Sequence, residues 1–596
     1  MIVDIYNKGN DLEISYINSK GMVDILTKKV DAYRYNVVGY KTNQLDWKGQ
    51  YADKTPSKNL GKHELRQTLH GLPQEDKDKI FAYNLPKVYA CDIEIDIRGK
   101  MGKKLDDITE DACCPVNLIT ITTENLDTIA LALEDDIRSH ESSGVLYDKI
   151  QKKIFNHISD ANDSTKIMLR DMGINQENPP KVKIYWYSTE RKLLEAFFKA
   201  QNKSLHCSVW WNNETFDSRY LHNRALVVEN EHFFTSKNSD LSPQNQSKEI
   251  KRNGRLNNPT IKDIHIRNQA SPTNRFESRG SILTDGMSAK FGKDKPSTVK
   301  PLHRLEIDYM VLTEKYTTRG SKSLKLDVVA EEKLGFGKVS YSGNFEKLIV
   351  GDTETFLFYG CIDTVSLMMI HLQTKALNML CIGSFDAKVK IEDAFYVSRT
   401  SSAVFSDYFW LEKGLVSCGR NRKSESDEMD DAEYDDDDTL VNTSKVVKRV
   451  GYHFTTNLMK LDGSFENVFV RAVRPPKKDT ARFEGAYVVP PRGNKIGYSA
   501  FLDAASLYPS SGMSLKPSSE IYIKTCKTNK EVQEEISKGN RVSFNRHVYD
   551  GNRKGALATI WERQIKGRYH SKDLSINMSN YYISAIEQAI KELETE

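Results

Sequence analysis

Lys87-Val-Tyr-Ala-Cys-Asp-Ile-Glu-Ile-Asp-Ile97 is the stretch on which the fold turns. Ile93, Ile95 and Ile97 alternate with Asp92, Glu94 and Asp96. A period of two predicts a β-strand with isoleucines on one face and carboxylates on the other. Two acids on one face of a strand repel each other, and a cation lying between them removes the conflict. Taken alone, the same pattern also describes an edge strand with a solvated acidic face, and Asp96 reads as its wet end.

Further stretches follow in one order. Ser208-Val-Trp-Trp-Asn-Asn-Glu-Thr-Phe-Asp-Ser-Arg-Tyr-Leu-His-Asn-Arg224 predicts a strand ending near Trp211, a turn at Asn212 and a helix from Asp217. An aspartate at a helix start is as readily a plain N-cap as a functional residue. Thr355 to Ile370 is dominated by apolar residues and predicts a buried helix. Tyr359 and Asp363 fall on one face of it, at i and i+4. An acid in a buried helix needs a partner; a metal would supply one, and the tyrosine could orient an attacking water. Finally, the residues from Tyr498 to Leu502 predict a strand that delivers Asp503 to its end, followed by a turn at Ser506-Leu507-Tyr508 that Pro509 closes.

The frame around these stretches is ordinary for a globular protein. A chain of 596 residues is too long for one hydrophobic core and predicts three or more domains. Hydrophobic residues make up 39% and charged residues 28%. A net charge of +4 gives no global pull toward nucleic acid, so any basic groove must be local. The eight cysteines show no metal-ligand spacing, and Cys113 and Cys114 are adjacent, which fits a reducing compartment and a cytoplasmic location. The N-terminus lacks the apolar core of a signal peptide. No apolar run approaches the ~20 residues of a membrane span, so no membrane is expected as a partner. Thr235 to Lys262 reads as a polar insertion. The acidic run Ser424 to Asp438 (SESDEMDDAEYDDDD) reads as a disordered, solvated loop, or as a flap that shields a basic surface. Lys554 to Glu596 is helical in composition, with Ile583, Ile586, Ile590 and Leu593 at helical spacing.

Read in order, DIE at Asp92, N-x3-FD at Asn212 and Y-x3-D at Tyr359 resemble the 3′→5′ proofreading exonuclease of family B DNA polymerases. Ser323-Leu-Lys-Leu-Asp-Val-Val-Ala330 is similar to the segment before the third motif. The strings VYACDIEI, WNNETFDSRYLHNR, FEGAYVVPP and DAASLYPS look like stretches of the replicative enzymes of T-even-type bacteriophages. The resemblance runs from about Lys87 to the end of the sequence. It implies that Asp92, Glu94, Asp217 and Asp363 bind two Mg²⁺ or Mn²⁺ ions, that Tyr359 helps place the water, and that Asn212 and Phe216 hold the frayed primer end. Two ions ~4 Å apart serve both the attacking and the leaving oxygen of a phosphodiester, and carboxylates suit such hard cations.

The resemblance also implies a polymerase half-site. Asp503 would bind catalytic metals, backbone N–H groups around Ser506 and Leu507 would cradle a dNTP triphosphate, and Tyr508 would exclude ribonucleotides. Ala504 stands where the family has a larger apolar residue. Arg568 and Lys572 match fingers-helix cations, with Gly567 in place of the family's Gln. Tyr359-Gly360 does not stand in for the family's YGDTDS turn, which has two aspartates in a hairpin and follows the SLYPS stretch. Neither that turn nor the K-x3-N-S-x-YG pattern occurs in the sequence. The expected architecture is therefore a multidomain α/β protein. It comprises a small mixed domain over 1–84 and a ribonuclease H-like exonuclease domain with a mixed sheet over 85–375. A partial palm over 376–553 follows, with its acidic insertion near 424–439, and then the first fingers helices over 554–596. The expected function is the N-terminal portion of a split DNA polymerase with proofreading. Its partners would be primer-template DNA, dNTPs and a complementary polymerase chain, with a sliding clamp as a further candidate. The alternatives are a stand-alone 3′→5′ exonuclease with a structural palm remnant and a non-catalytic module that holds single strands.

Overall fold

The computed structural model describes residues 1–8, 10–47, 49–96, 112–134, 143–213, 216–237, 266–273, 276–279, 298–317, 323–339, 352–418, 452–459, 465–472, 507–515, 518–543 and 545–595. The chain forms two compact units, one of Met1–Arg422 with Tyr508–Glu596 and the other of Lys423–Leu507. The acidic run, the predicted strand before Asp503, and both Asp503 and Ser506 lie outside the described residues.

The first unit opens with an antiparallel meander, β1 (Ile2–Lys8), β2 (Asp11–Ile17) and β3 (Val23–Lys29). A second small sheet is built on β4 (Tyr33–Val37), β5 (Gln44–Asp46) and β6 (Tyr51–Pro56). Helices α1 (Lys62–His70) and α2 (Gln74–Ile80) follow. Leu69, Leu72 and Ile80 pack with Ile2, Leu12 and Ile14 as a satellite core.

Among the described residues the largest sheet has six strands in the order β10-β9-β8-β7-β11-β14. β7 (Val88–Ile95), β8 (Val116–Thr123) and β9 (Thr128–Leu133) are an antiparallel meander. Helix α3 (Ser143–Ser159) precedes β10 (Val182–Tyr187), which runs parallel to β9. Helix α4 (Glu190–Lys203) leads to β11 (Cys207–Trp210), parallel to β7, and helix α5 (Asp217–Lys237) comes next. A two-stranded ribbon, β12 (Phe276–Arg279) with β13 (Thr298–Pro301), precedes β14 (Leu305–Asp308), which runs parallel to β11. Beyond it come α6 (Leu326–Leu334) and α7 (Thr353–Thr374).

The alternation in β7 assigns its two faces to two cores. Tyr89, Cys91, Ile93 and Ile95 pack with Leu194, Phe197 and Phe198 of α4 and with Tyr220 and Leu221 of α5. Val88 and Ala90 join Phe356, Cys361, Ile362 and Val365 of α7 and Ile150 and Ile154 of α3 on the other face. Asp92 and Glu94 share the parity of Val88 and Ala90 and therefore face α7. That helix comes unusually close to the sheet. A Cβ on Gly360 would stand 2.7 Å from Leu118 Cδ2, and the Gly360 carbonyl accepts a 3.0 Å bond from Thr120 Oγ1. Thr122 Oγ1 donates to Thr364 Oγ1 at 2.8 Å, one turn along.

Contrary to the expectation from sequence, one helix among the described residues, α7, is long and apolar enough to cross a membrane; 83% of its apolar window is covered by the rest of the protein. Sequence hydropathy responds to burial against protein as it does to lipid, which is why a core helix passes that test.

After α7 the chain reaches α8 (Val397–Asp407) and β15 (Leu415–Val416), which adds to the β5 edge of the second sheet. The second unit contains the antiparallel hairpin β16 (Tyr452–Met459) and β17 (Phe465–Ala472). Two expectations are corrected near the end. Leu507, Tyr508 and Pro509 do not form a turn; they open helix α9 (Leu507–Leu515), since proline is tolerated in the first turn, where its missing N–H has no intrahelical acceptor. The expected fingers helices are one continuous helix, α10 (Ala556–Thr595), with Gly567 inside it. Its root packs Ala556 and Ile560 on Tyr408 and Phe409, and Arg563 forms a two-pronged pair with Glu412 at 2.5 and 2.8 Å.

Arg66 ties α1 to α8. Its guanidinium binds both oxygens of Asp407 and donates to Lys388 O at 2.9 Å and Ala387 O at 2.6 Å; His70 Nε2 stands 3.0 Å from Asp407 Oδ1. Burial alone would raise the Asp407 carboxyl, but hydrogen bonds from His70 and Arg66 and the Arg66 charge hold it below the ordinary carboxylate value. Replacing Arg66→Met strands a half-buried carboxylate and should cost about 3 kcal/mol in urea denaturation near neutral pH. A depressed carboxyl stabilises above its unfolded pKa of ~3.9 and loses that contribution as pH falls through its lower folded value, so the penalty of the variant should shrink in acid.

Candidate functional site

The site lies where β7 faces α7. Asp92 and Glu94 are half-buried on β7, opposite Thr120 and Leu118 of β8. Asp363, 5% exposed, projects from the middle of α7. Among the described residues, Asp92, Glu94 and Asp363 each offer a carboxylate oxygen within 4.8 Å of the others. Like charges brought this close, and partly buried, disfavour ionisation. Asp92 is pushed from 3.8 to about 7 by burial and then by the Asp363 charge, with Lys338 opposing. Burial and the charges of Asp92 and Asp363 raise Glu94 well above its usual range. Asp363 is raised by burial, against the charge and hydrogen bond of Lys338.

Lys338 did not emerge from the sequence. Its Nζ donates to Asp363 Oδ2 at 2.6 Å and to Tyr359 OH at 3.2 Å, and lies 5.2 Å from the centre of the Tyr359 ring. Burial would lower its pKa, but Asp363, Tyr359 and Asp92 raise it well above the ordinary lysine value, so the ammonium stays charged. The backbone aims it there. Helix α6 ends at Gly335 in the left-handed region, φ 85°, where a Cβ would also lie 2.6 Å from Asn162 N. Three residues on, Lys338 N donates to Asp327 Oδ1 at 2.6 Å, while His157 Nε2 and Gly337 O are 2.8 Å apart. Asp327 belongs to the SLKLDVVA stretch and so anchors the lysine loop. Tyr359 is raised by burial and by Asp363, which keeps its hydroxyl a proton donor.

Asp217 is the first residue of α5 and is 4% exposed. It does not enter the 4.8 Å group. It is nevertheless within electrostatic reach, for its carboxyl is raised well above the usual range by burial and then by the charges of Asp92, Asp308 and Glu94. The chain reaches it through Asn212 in a left-handed conformation, φ 67°. Phe216 N donates to Asn212 O at 3.1 Å, and Asn213 Oδ1 accepts from Ser218 N at 3.1 Å. The half-buried Phe216 ring lies against Tyr220, with centroids 5.5 Å apart. Leu507 and Tyr508 lie in α9; Arg568 and Lys572 lie one turn apart on α10, both exposed.

Three clustered carboxylates and no thiol or imidazole form a donor set for a hard divalent cation. The unfavourable ionisation of all three is what such an ion would relieve.

Comparison with known proteins shows what the chain is similar to. Residues 146–329 match the exonuclease domain of family B DNA polymerases. That segment holds Asn212, Phe216 and Asp217; Asp92, Glu94, Lys338, Tyr359 and Asp363 lie outside it. A DNA-directed DNA polymerase of Escherichia phage RB69 is 23% identical over 236 residues, which is 39% of this chain and only 22% of that relative's length. The resemblance to the N-terminal part of a family B polymerase is borne out by these matches.

The electrostatics can be checked without substrate. In metal-free buffer at neutral pH, Asp92→Asn should melt above the unsubstituted protein, because the amide carries none of the charge that burial and Asp363 disfavour at this position. A raised carboxyl favours folding below its unfolded pKa of ~3.9 and loses that contribution as pH rises through its folded value. The gap between the two proteins should therefore open between about pH 4 and 7, as read by thermal melts across that range.

Proposed function

We propose that this chain is the N-terminal portion of a family B DNA polymerase that carries a metal-dependent 3′→5′ exonuclease, with Asp92, Glu94, Asp217 and Asp363 holding two divalent ions. The observation that carries this reading is the convergence of three carboxylates within 4.8 Å from a strand and a helix about 270 residues apart in sequence, in a chain with an exonuclease-domain match. A meander of β7, β8 and β9 with β11 and β14 parallel to β7 supports a ribonuclease H-like domain over 85–375.

Bound Mg²⁺ or Mn²⁺ would supply charge neutralisation at the scissile phosphate and lower the pKa of the attacking water. The protein groups do the rest. β7 fixes Asp92 and Glu94, α7 fixes Asp363, and the protonated hydroxyl of Tyr359 orients the water. Lys338 balances Asp363 and steadies Tyr359. Asn212 and Phe216 hold the unpaired 3′ end of the DNA. The purified chain should degrade single-stranded DNA from its 3′ end only with Mg²⁺ or Mn²⁺. Asp217→Ala and Asp363→Asn should each lower kcat by more than about 100-fold, beyond what loss of a supporting partner costs, with no fall in melting temperature. Undiminished activity in both variants would overturn the assignment.

The finer reading adds half of a polymerase site. Asp503, the backbone at Ser506 and Leu507, Tyr508, Arg568 and Lys572 would bind metal and dNTP, and a complementary polymerase chain would supply the rest. Apolar side chains exposed on α10, among them Tyr569, Ile576, Ile583, Ile586 and Ile590, support such a partner. The chain alone should leave a primed template unextended, and addition of the complementary chain should produce extension; dNTP incorporation by the chain alone would refute this part.

A further inference from the structure

Glu306 on β14 is a buried carboxylate, 8% exposed, that the reaction does not use. Gln201 Nε2 of α4 donates to its Oε1 at 3.1 Å, Ser218 Oγ donates to its Oε2 at 2.8 Å, and His222 Nε2 stands 3.7 Å from the same Oε2. Ser218 and His222 are one turn apart on α5, immediately after Asp217, and the His222 ring is stacked on Phe198 with centroids 5.6 Å apart. A buried carboxylate needs partners, and here a hydrogen bond from Ser218 and the nearby His222 ring both come from the helix that begins with a site residue. Ser218 is also held at its backbone by Asn213 Oδ1.

The opposite side of α5 is pinned independently. Tyr220 OH donates to Cys114 O at 2.5 Å and accepts from Cys114 N at 2.9 Å; Arg224 makes a two-pronged pair with Glu190 at 2.8 and 2.7 Å and donates to Ala112 O at 3.1 Å. Residues 218 and 222 lie roughly 200° around the helix from 220 and 224. The two sets of contacts therefore fix rotation about the axis, which neither would fix alone.

We propose that Glu306 is a positioning residue for the exonuclease site: through Ser218 and His222 it sets the rotation of α5 and so the direction in which the Asp217 carboxylate points. This rests on the exonuclease reading above. It separates Glu306's partners into two kinds. Ser218 transmits position to Asp217, whereas Gln201, on another helix, only satisfies the buried charge.

The test is Mn²⁺ binding to the DNA-free chain, followed by the electron paramagnetic resonance signal of free Mn²⁺, with thermal melts and exonuclease assays on the same samples. Ser218→Ala should weaken Mn²⁺ binding about tenfold and raise the half-saturating Mg²⁺ in parallel, with a fall in melting temperature similar to that of Gln201→Met, since each removes one hydrogen bond from the buried carboxylate. Glu306→Gln should do likewise, and it carries the comparison if Ser218→Ala fails to fold. Gln201→Met should lower the melting temperature and leave Mn²⁺ affinity within about twofold of the unsubstituted chain. Unchanged affinity in both Ser218→Ala and Glu306→Gln, or an equal loss in Gln201→Met, overturns the positioning role while leaving the exonuclease reading intact. An unsubstituted chain that neither binds Mn²⁺ nor degrades DNA overturns both.

Discussion

Three carboxylates that repel one another are held within 4.8 Å because a buried helix is packed hard against one strand. The packing comes first. Gly360 allows α7 to reach Leu118 and Thr120, and the core residues on either side of Asp363 leave the helix no freedom to rotate. Electrostatic discomfort is thereby stored in the fold, and Lys338 relieves only part of it. The conflict weakens the fold, and a bound cation is what would relieve it.

Local pattern made part of this legible. The alternation in Lys87–Ile97 put Asp92 and Glu94 on one face, and the apolar run around Tyr359 and Asp363 predicted a buried helix; both elements form, within a residue or two of the expected bounds at β7. The helix from Asp217 also forms. Periodicity works there because each face is set by its own element. Lys338 was invisible for the opposite reason. It sits in the short irregular segment after α6, and its role depends on a left-handed glycine and on Asp327, 11 residues earlier, neither of which leaves a repeating signature. Glu306 was equally hidden, because four residues alternating apolar and acidic, Leu305-Glu306-Ile307-Asp308, do not reveal from sequence that both faces of the strand are buried. The SLYPS stretch was misread locally, since turn-forming residues and a helix opening share the same composition.

The two faces of β7 divide responsibility. One carries the acids toward α7. The other, through Ile93 and Ile95, is cemented to α4 and α5. Asp217 stands at the N-terminal end of α5, a helix packed on the second face, yet it feels the charges on the first. A single strand thus couples two cores, and a change in how either packs reaches the carboxylates within one residue step.

Helix α10 has a mechanical consequence. Forty residues rise about 60 Å. Every described side chain from Lys566 to Ile590 is exposed, while the buried and paired residues, among them Ala556, Ala558, Ile560 and Arg563 with Glu412, lie at one end. The element is therefore a long arm on a short pivot. A tilt of only 5° at the pivot would sweep the far tip through about 4 Å, so small rearrangements around Tyr408 and Phe409 are amplified about fivefold at the tip.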